Sequence, residues 1–366
     1  MSDTIPTALE NPDPSSAGFN PSRLTAAVSF AESNEIGWSR NIGDQLGKGE
    51  FEPPPWNEVL GPTKPRGGPT GMILRHGTVA ATWGDLARAD MTFSVAKSYL
   101  AILAGLALED GLIGDVHEPV AKTALDDHFT SPQNCNVTWH HLLQQTSEWE
   151  GTLWGKPDLI DRNRQLGENA DNTRKGQPRV LGPPGSFWEY NDVRVNRLSL
   201  SLLHLFRRPL ADVLKERIMI PLGASDDWSW NAYHNAVATV GGVPMPSVPG
   251  GSHWGGGLWI GARDQALLGQ LILQRGAWNG RQLISTDWLD AMCKPCPLKS
   301  EYGYMWWLNT DRVRYPAASI KALAAVGAGG NTILIDAAYD LVLVARWLDG
   351  LALNPLIEQT IAAIAE

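Results

Sequence analysis

The chain has 366 residues, enough for two ordinary domains of ~100 to 200 residues or for one large domain with an insertion. Hydrophobic residues make up 43% and charged residues 19%, which excludes global disorder. Its 30 Lys+Arg against 39 Asp+Glu leave a net charge of −9, which repels phosphate backbones and anionic lipid and so argues against nucleic-acid or membrane partners.

Residues 1–20 are rich in Pro, Ser, Asn and Asp and read as a loose, flexible arm without the basic start or apolar stretch of a signal peptide. With only three cysteines (Cys135, Cys293, Cys296), too few for a disulfide framework, a cytoplasmic protein is expected. Pro21 opens a helix with apolar residues at helical spacing. From Gly43 to Gly68 the density of Pro and Gly excludes a helix or a central strand and predicts a long surface loop, of the kind that often borders a site. The runs 72–75 and 79–83, separated by His76-Gly77, predict a β-hairpin. A second hairpin is predicted from 332–336 and 341–347, followed by a last helix through Leu356, Ile357, Ile361 and Ile364. Strands at both ends of the chain predict one sheet built from both termini, with residues 21–91 and 300–366 forming an α/β sheet domain. Residues 92–299 between them carry mostly helical signals (94–109, 140–145, 193–205, 210–220, 263–275) and read as an inserted, mainly helical domain. The most apolar segment, Val95 to Leu108, is interrupted by Lys97 and Ser98 and is shorter than the ~20 residues a bilayer span needs.

Three segments carry chemistry. Ser94 and Lys97 stand three apart at the start of the most apolar helix, so both side chains share one face. A serine at a helix start lies at the positive dipole end, and a desolvated amine beside it can act as a base. A Ser-x-x-Lys triplet alone is most often a helix cap and a solvated lysine; here the helix is apolar nearly all round, so the lysine needs another reason. Tyr190 lies at a loop-to-helix junction, where its hydroxyl can project into a cleft or be satisfied in the core. The glycines of 327–331 precede an apolar strand and permit close backbone approach to a ligand, or simply a turn.

Taken in order, Ser94-Val95-Ala96-Lys97, Tyr190 and the Gly329-Gly330-Asn331 stretch resemble the penicillin-recognising serine hydrolases: class C β-lactamases, D-alanyl-D-alanine carboxypeptidases, and their esterase and 6-aminohexanoate-dimer hydrolase relatives. Glu109 to Ile113, Val137 to Ser147, Gly255 to Leu258 with Ala262-Arg263-Asp264, and Tyr302-Gly303-Tyr304 extend the resemblance over residues 20–350. It implies a β-lactamase-like fold, Ser94 as nucleophile, Lys97 and Tyr190 sharing the acid/base work, and an oxyanion hole from the backbone N–H groups of Ser94 and Asn331. No cofactor or metal is implied. Either Lys97 is neutral, its pKa lowered by roughly 3 units from ~10.4, or it stays charged and favours a Tyr190 phenolate.

Two departures matter. The family's Tyr-x-Asn becomes Tyr190-Asn191-Asp192, and a carboxylate at Asp192, a candidate substrate-binding residue, would favour a charged Lys97. The family's Lys-Thr-Gly aligns with Ala328-Gly329-Gly330, which lacks the cation that binds a substrate carboxylate. A small-molecule ester or amide is therefore expected as substrate, with weak or no β-lactamase activity. Gly329 and Gly330 line this expected site, and Trp149 and Trp154 are the preferred pocket-lining aromatics among the 16 tryptophans. His253 is a candidate for supporting the site from behind. Acyl transfer through the same acyl-enzyme and a non-catalytic binding protein on the same scaffold are the alternative readings. Cys293-Lys294-Pro295-Cys296 follows a helix end and lacks the context of a redox motif, and the adjacent His140-His141 do not share a helix face as metal ligands would.

Overall fold

The computed structural model describes residues 12–49, 51–167 and 169–365. Helix α1 (Pro21–Ser33) starts as expected, with Asn20 accepting the Arg23 N–H at 3.1 Å. Residues 12–20, expected within the loose arm, are instead docked: Asp13 N–H donates to Val79 O at 3.1 Å, Phe19 bridges to Ile364, and Ala17 and Phe19 are buried. Residues 1–11 of that arm lie outside the described residues. The expected loop from Gly43 to Gly68 also needs correcting, because a short helix α2 (Ile42–Gly47) forms there. Asn41 accepts the N–H groups of Gly43 and Asp44, and this cap starts a helix that the surrounding prolines and glycines obscure.

Strands β1 (Thr70–Arg75) and β2 (Thr78–Trp83) form the first hairpin, with His76 and Gly77 both at positive φ, 54° and 71°. The chain continues through β3 (Asp90–Met91), α3 (Val95–Glu109), α4 (Trp139–Leu143) and α5 (Asp192–Phe206). Next come β4 (Ser229–Asn231), β5 (Gly257–Ile260), α6 (Ala262–Leu273) and α7 (Thr286–Met292). It closes with β6 (Trp307–Leu308), β7 (Ala322–Gly327), β8 (Asn331–Asp336), β9 (Leu341–Arg346) and α8 (Leu353–Ala362).

The main sheet has the order β6-β7-β8-β9-β1-β2, antiparallel throughout, so the two ends of the chain meet where Thr70 lies opposite Arg346. Successive side chains on its strands alternate between two cores. Ile73, Leu334, Leu341 and Leu343 pack with Leu24, Ala27 and Leu356 of α1 and α8. Met72, Leu74, Ile333, Val342 and Val344 face α3 and α6. This is the mixed helix and antiparallel-sheet architecture of the α/β class.

The expected domain boundary shifts as a result. Helix α6, inside the stretch expected to be inserted, covers the sheet by packing on β8, β9 and β1. Gly269 permits this approach, since a Cβ there would lie 2.6 Å from Val342 Cγ1. Residues 90–261 hold α3 to α5, a helical stretch over 210–222, and a small sheet of order β3-β5-β4, with much irregular chain between them. Among the described residues no helix is long and apolar enough to cross a membrane.

Candidate active site

Ser94 sits at the hinge between the two parts. Thr92 donates its backbone N–H to Leu258 O at 3.0 Å, fixing the approach from the small sheet. Phe93 then adopts φ 52°, a conformation that costs a non-glycine residue about 1 to 3 kcal/mol, held by packing against Trp38, Phe51 and Trp347. Ser94 takes the N-cap position of α3, yet its side chain caps nothing. Its Oγ accepts instead from Lys97 Nζ at 2.8 Å, and Ser94 is half-buried while Lys97 is 1% exposed.

A buried charge cluster lies behind this pair. Lys97 Nζ donates to Asp192 Oδ1 at 2.5 Å, and the other Asp192 oxygen receives Arg164 at 2.7 Å and faces His253 Nδ1 at 3.4 Å. His253 Nε2 meets Glu52 Oε1 at 2.6 Å, and Lys175 reaches both Glu52 and Asp161. Burial works against the charge on Lys97, but Asp192 and Tyr190 beside it more than offset this and hold its pKa above the ordinary lysine value. Burial likewise opposes the Asp192 carboxylate, while Lys97, His253 and Arg164 hold it far below the usual carboxylate range. Both Asp192 oxygens are thus engaged by the protein. This places Asp192 under Lys97 as its counter-charge, not at the substrate as first expected.

Tyr190 is 5% exposed and forms the adjoining wall, with Lys97 Nζ 4.8 Å and Arg164 Cζ 5.3 Å from its ring centroid. Trp307 stacks on it at 5.9 Å, and Tyr302 and Trp188 meet it edge-on or tilted. Beyond Trp188, a cavity of about 190 Å³ opens between Arg164, Arg174 and Phe187.

The opposite wall is the end of β7. A Cβ on Gly327 would fall 2.0 Å from Thr92 O and 3.0 Å from Ser94 N, so only glycine lets this strand abut the serine turn. Ala328-Gly329-Gly330 form the turn beyond the strand, and the residue that abuts Ser94 is Gly327 at the strand's end. Neither the strand end Ala325-Val326-Gly327 nor this turn carries a cation. Gly329 and Gly330 have φ of 78° and 66°, and a Cβ on Gly330 would strike Leu348 O, so these two shape the turn. Asn331 corrects an expectation. It is fully buried, its backbone pairs with Gly327 across the hairpin, and its side chain braces the turn through Arg346 Nε (3.1 Å) and Ala328 O (2.7 Å). The backbone N–H groups of Ser94 and Ala328, by contrast, find no backbone acceptor among the described residues.

The family is settled by likeness to known proteins over most of this frame. A family model described as Beta-lactamase matches residues 56–346. The chain belongs to the beta-lactamase family. Solved structures share its fold and are distant in sequence. EstCE1, described as a hydrolase with promiscuous acyltransferase activity, shares 15% identity at a TM-score of 0.60, covering 94% of this chain and 99% of its own. A penicillin-binding protein homolog from Caulobacter crescentus gives 15%, 0.58, 94% and 99%. A beta-lactamase from Mycobacterium bovis gives 18%, 0.56, 81% and 94%. No curated protein matches the chain.

Within this beta-lactamase fold the remaining expected residues separate. Trp149 is fully buried and donates its indole N–H to His128 O at 3.1 Å, a core role that corrects the expectation for it. Trp154 is only partly buried and packs on the same core. His140 bonds Tyr304 Oη at 2.6 Å and His141 completes the N-cap of α4, both structural roles. All three cysteines are unpaired, and burial pushes the Cys293 thiol up to about 11. Glu52, Asp161 and His253 place ligand atoms within 4.8 Å of one another, but the Lys175 ammonium already supplies the positive charge there. Sequence reasoning missed Arg164, Lys175 and Glu52, and counted Trp307 only among several tryptophans beside the motifs. None has a spacing that signals a site, because Arg164 and Lys175 arrive from the irregular stretch before α5 and Glu52 from the loop after α2.

Proposed function

We propose that the chain is a serine hydrolase that cleaves an ester or amide of a small molecule through an acyl-enzyme on Ser94. The observation that carries this is the 2.8 Å Lys97–Ser94 hydrogen bond at the start of α3, with the serine side chain free of any capping duty. Asp192 holds Lys97 as an ammonium, which has no lone pair to accept a proton. The general base is therefore Tyr190 acting as a phenolate, with Lys97 and Arg164 facing the ring that carries this negative charge until the proton arrives. Ser94 attacks the substrate carbonyl as its proton passes to Tyr190. The N–H groups of Ser94 and Ala328 stabilise the tetrahedral oxyanion, and Tyr190 returns the proton to the leaving alcohol or amine. Water then attacks the acyl-enzyme by the same route in reverse. An alcohol or amine in place of water would make the chain an acyltransferase, a reading favoured only by its likeness to EstCE1, a hydrolase with promiscuous acyltransferase activity.

The absence of a cation in residues 325–330 supports a substrate without a required carboxylate at that wall. Three unpaired cysteines suit a cytoplasmic setting. The test is hydrolysis of p-nitrophenyl butyrate by the wild type and by Ser94→Ala. Turnover should fall at least about 1000-fold in the variant, and nitrocefin should be hydrolysed far more slowly than the ester. Equal rates on the two substrates would overturn the substrate reading; an unimpaired Ser94→Ala enzyme would overturn the nucleophile.

A further inference from the structure

Strand β6 has two sides. Trp307 turns toward Tyr190, and the next residue, Leu308, turns the other way, into a separate cavity of about 340 Å³. That volume lies at the small end of ligand pockets. Leu289 of α7, Leu308 of β6, Leu323 of β7 and Ile335 of β8 supply aliphatic walls. Because β7 and β8 are antiparallel neighbours, Leu323 stands directly opposite Ile335, and the two make a continuous apolar floor.

The rim is basic. Arg275 and Lys321 both line the cavity, and no carboxylate does. Arg275 is paired at 2.8 Å with Asp290, which lies outside the lining. Lys321 is exposed; its backbone N–H donates to Ser319 Oγ at 3.1 Å, while its ammonium has no ion pair among the described residues. In a chain of net charge −9 this is a local reversal of sign at the mouth of an apolar slot. Cys293 completes the wall; with its thiol pushed up to about 11 by burial, it adds apolar surface and no competing negative charge.

We propose that this cavity binds a medium-chain alkyl carboxylate, with the chain against Leu289, Leu308, Leu323 and Ile335 and the carboxylate on Lys321 at the rim. An apolar tail accounts for the walls and a single anionic head for the unpaired cation. A phosphate-rich ligand would leave the aliphatic walls without a partner, and a neutral hydrocarbon would leave the lysine without one.

Cys293 gives a local readout. Alkylation of Cys293 by N-ethylmaleimide, followed by peptide mass spectrometry, is measured across a titration of decanoate below its micellar concentration, with Cys135 in the same sample as reference. Saturable protection of Cys293 by at least about fivefold, with Cys135 unchanged, is expected. Decanol should protect much less, and Lys321→Glu should lose the protection while melting at the wild-type temperature. Absent or unsaturable protection, equal protection by decanol, or full protection in Lys321→Glu would each overturn the proposal. Should Cys293 resist alkylation even in the free protein, calorimetric titration of decanoate into wild type and Lys321→Glu decides the matter. Equal heats and affinities in the two proteins would sink it.

Discussion

Asp192 shows how one atom's worth of change redirects a site. An amide at this position would leave Lys97 buried without a counter-charge; the carboxylate gives it one at 2.5 Å. Replacing Asp192 by Asn should therefore lower the Lys97 pKa, because burial is then opposed by Tyr190 without the Asp192 carboxylate. The sign follows from the raised native value: the Lys97 ion pair contributes fully below the unfolded lysine value of ~10.4 and is lost as pH rises through the native one. In Asp192→Asn the alkaline limb of the kcat/KM profile should move to lower pH, and stability should fall by about 3 kcal/mol as a buried pair is broken. A pH–rate series and a denaturant melt check both; an unmoved limb would detach Asp192 from Lys97 in catalysis. At this scale the sequence is partly legible. Ser94 and Lys97 are three apart on one helix, so their contact follows from helical geometry, and the Lys97–Asp192 pairing was readable as chemistry once Tyr190 was in view. Arg164 and His253 reach Asp192 from loops, and no local spacing announces them.

Elements place these residues by backbone approach. The turn at Phe93 and the end of β7 lie in van der Waals contact, and Gly327 is the residue that makes this possible. Gly327→Ala should push β7 away from Ser94, dropping kcat at least about tenfold while the protein still folds. Thermal melts separate the two effects: an active variant with wild-type kcat would show that the strand does not set the site. The hairpin 70–83 and the hairpin 331–346 were readable because their central strands are buried on both faces and leave near-continuous apolar runs. Helix α2 was not readable, because a two-bond cap by Asn41 outweighs the breaker-rich composition around it. The short strands β3, β4 and β5 escaped notice for a related reason: two to four residues are too few to show a period.

Across the whole molecule, buried carboxylates tie the loops to the helices. Glu148, fully buried, is held below its ordinary value: burial opposes its charge, but Arg179 and Arg194 more than offset this. Asp192 is held low by its own cations. For such groups the stabilisation is fully present above the unfolded carboxylate values of ~4 and is lost as pH falls through the native ones. The melting temperature should therefore hold nearly level from pH 7 to about 5 and drop steeply below about 4; calorimetric scans at pH 7, 5, 4 and 3 test this, and a uniform decline would contradict it. The chain's own order of residues determined the sheet from both termini, the apolar helix behind Ser94 and the serine–lysine face, because periodicity and nearest-neighbour spacing act locally. Only the tertiary structure decided that Arg164 and His253 converge on Asp192, that Asn331 braces a turn while the Ala328 N–H finds no backbone acceptor among the described residues, and that Trp149 belongs to the core. Those outcomes depend on which distant loops meet in three dimensions, and burial and charge pairing between them are set by the packed fold and by nothing a single segment contains.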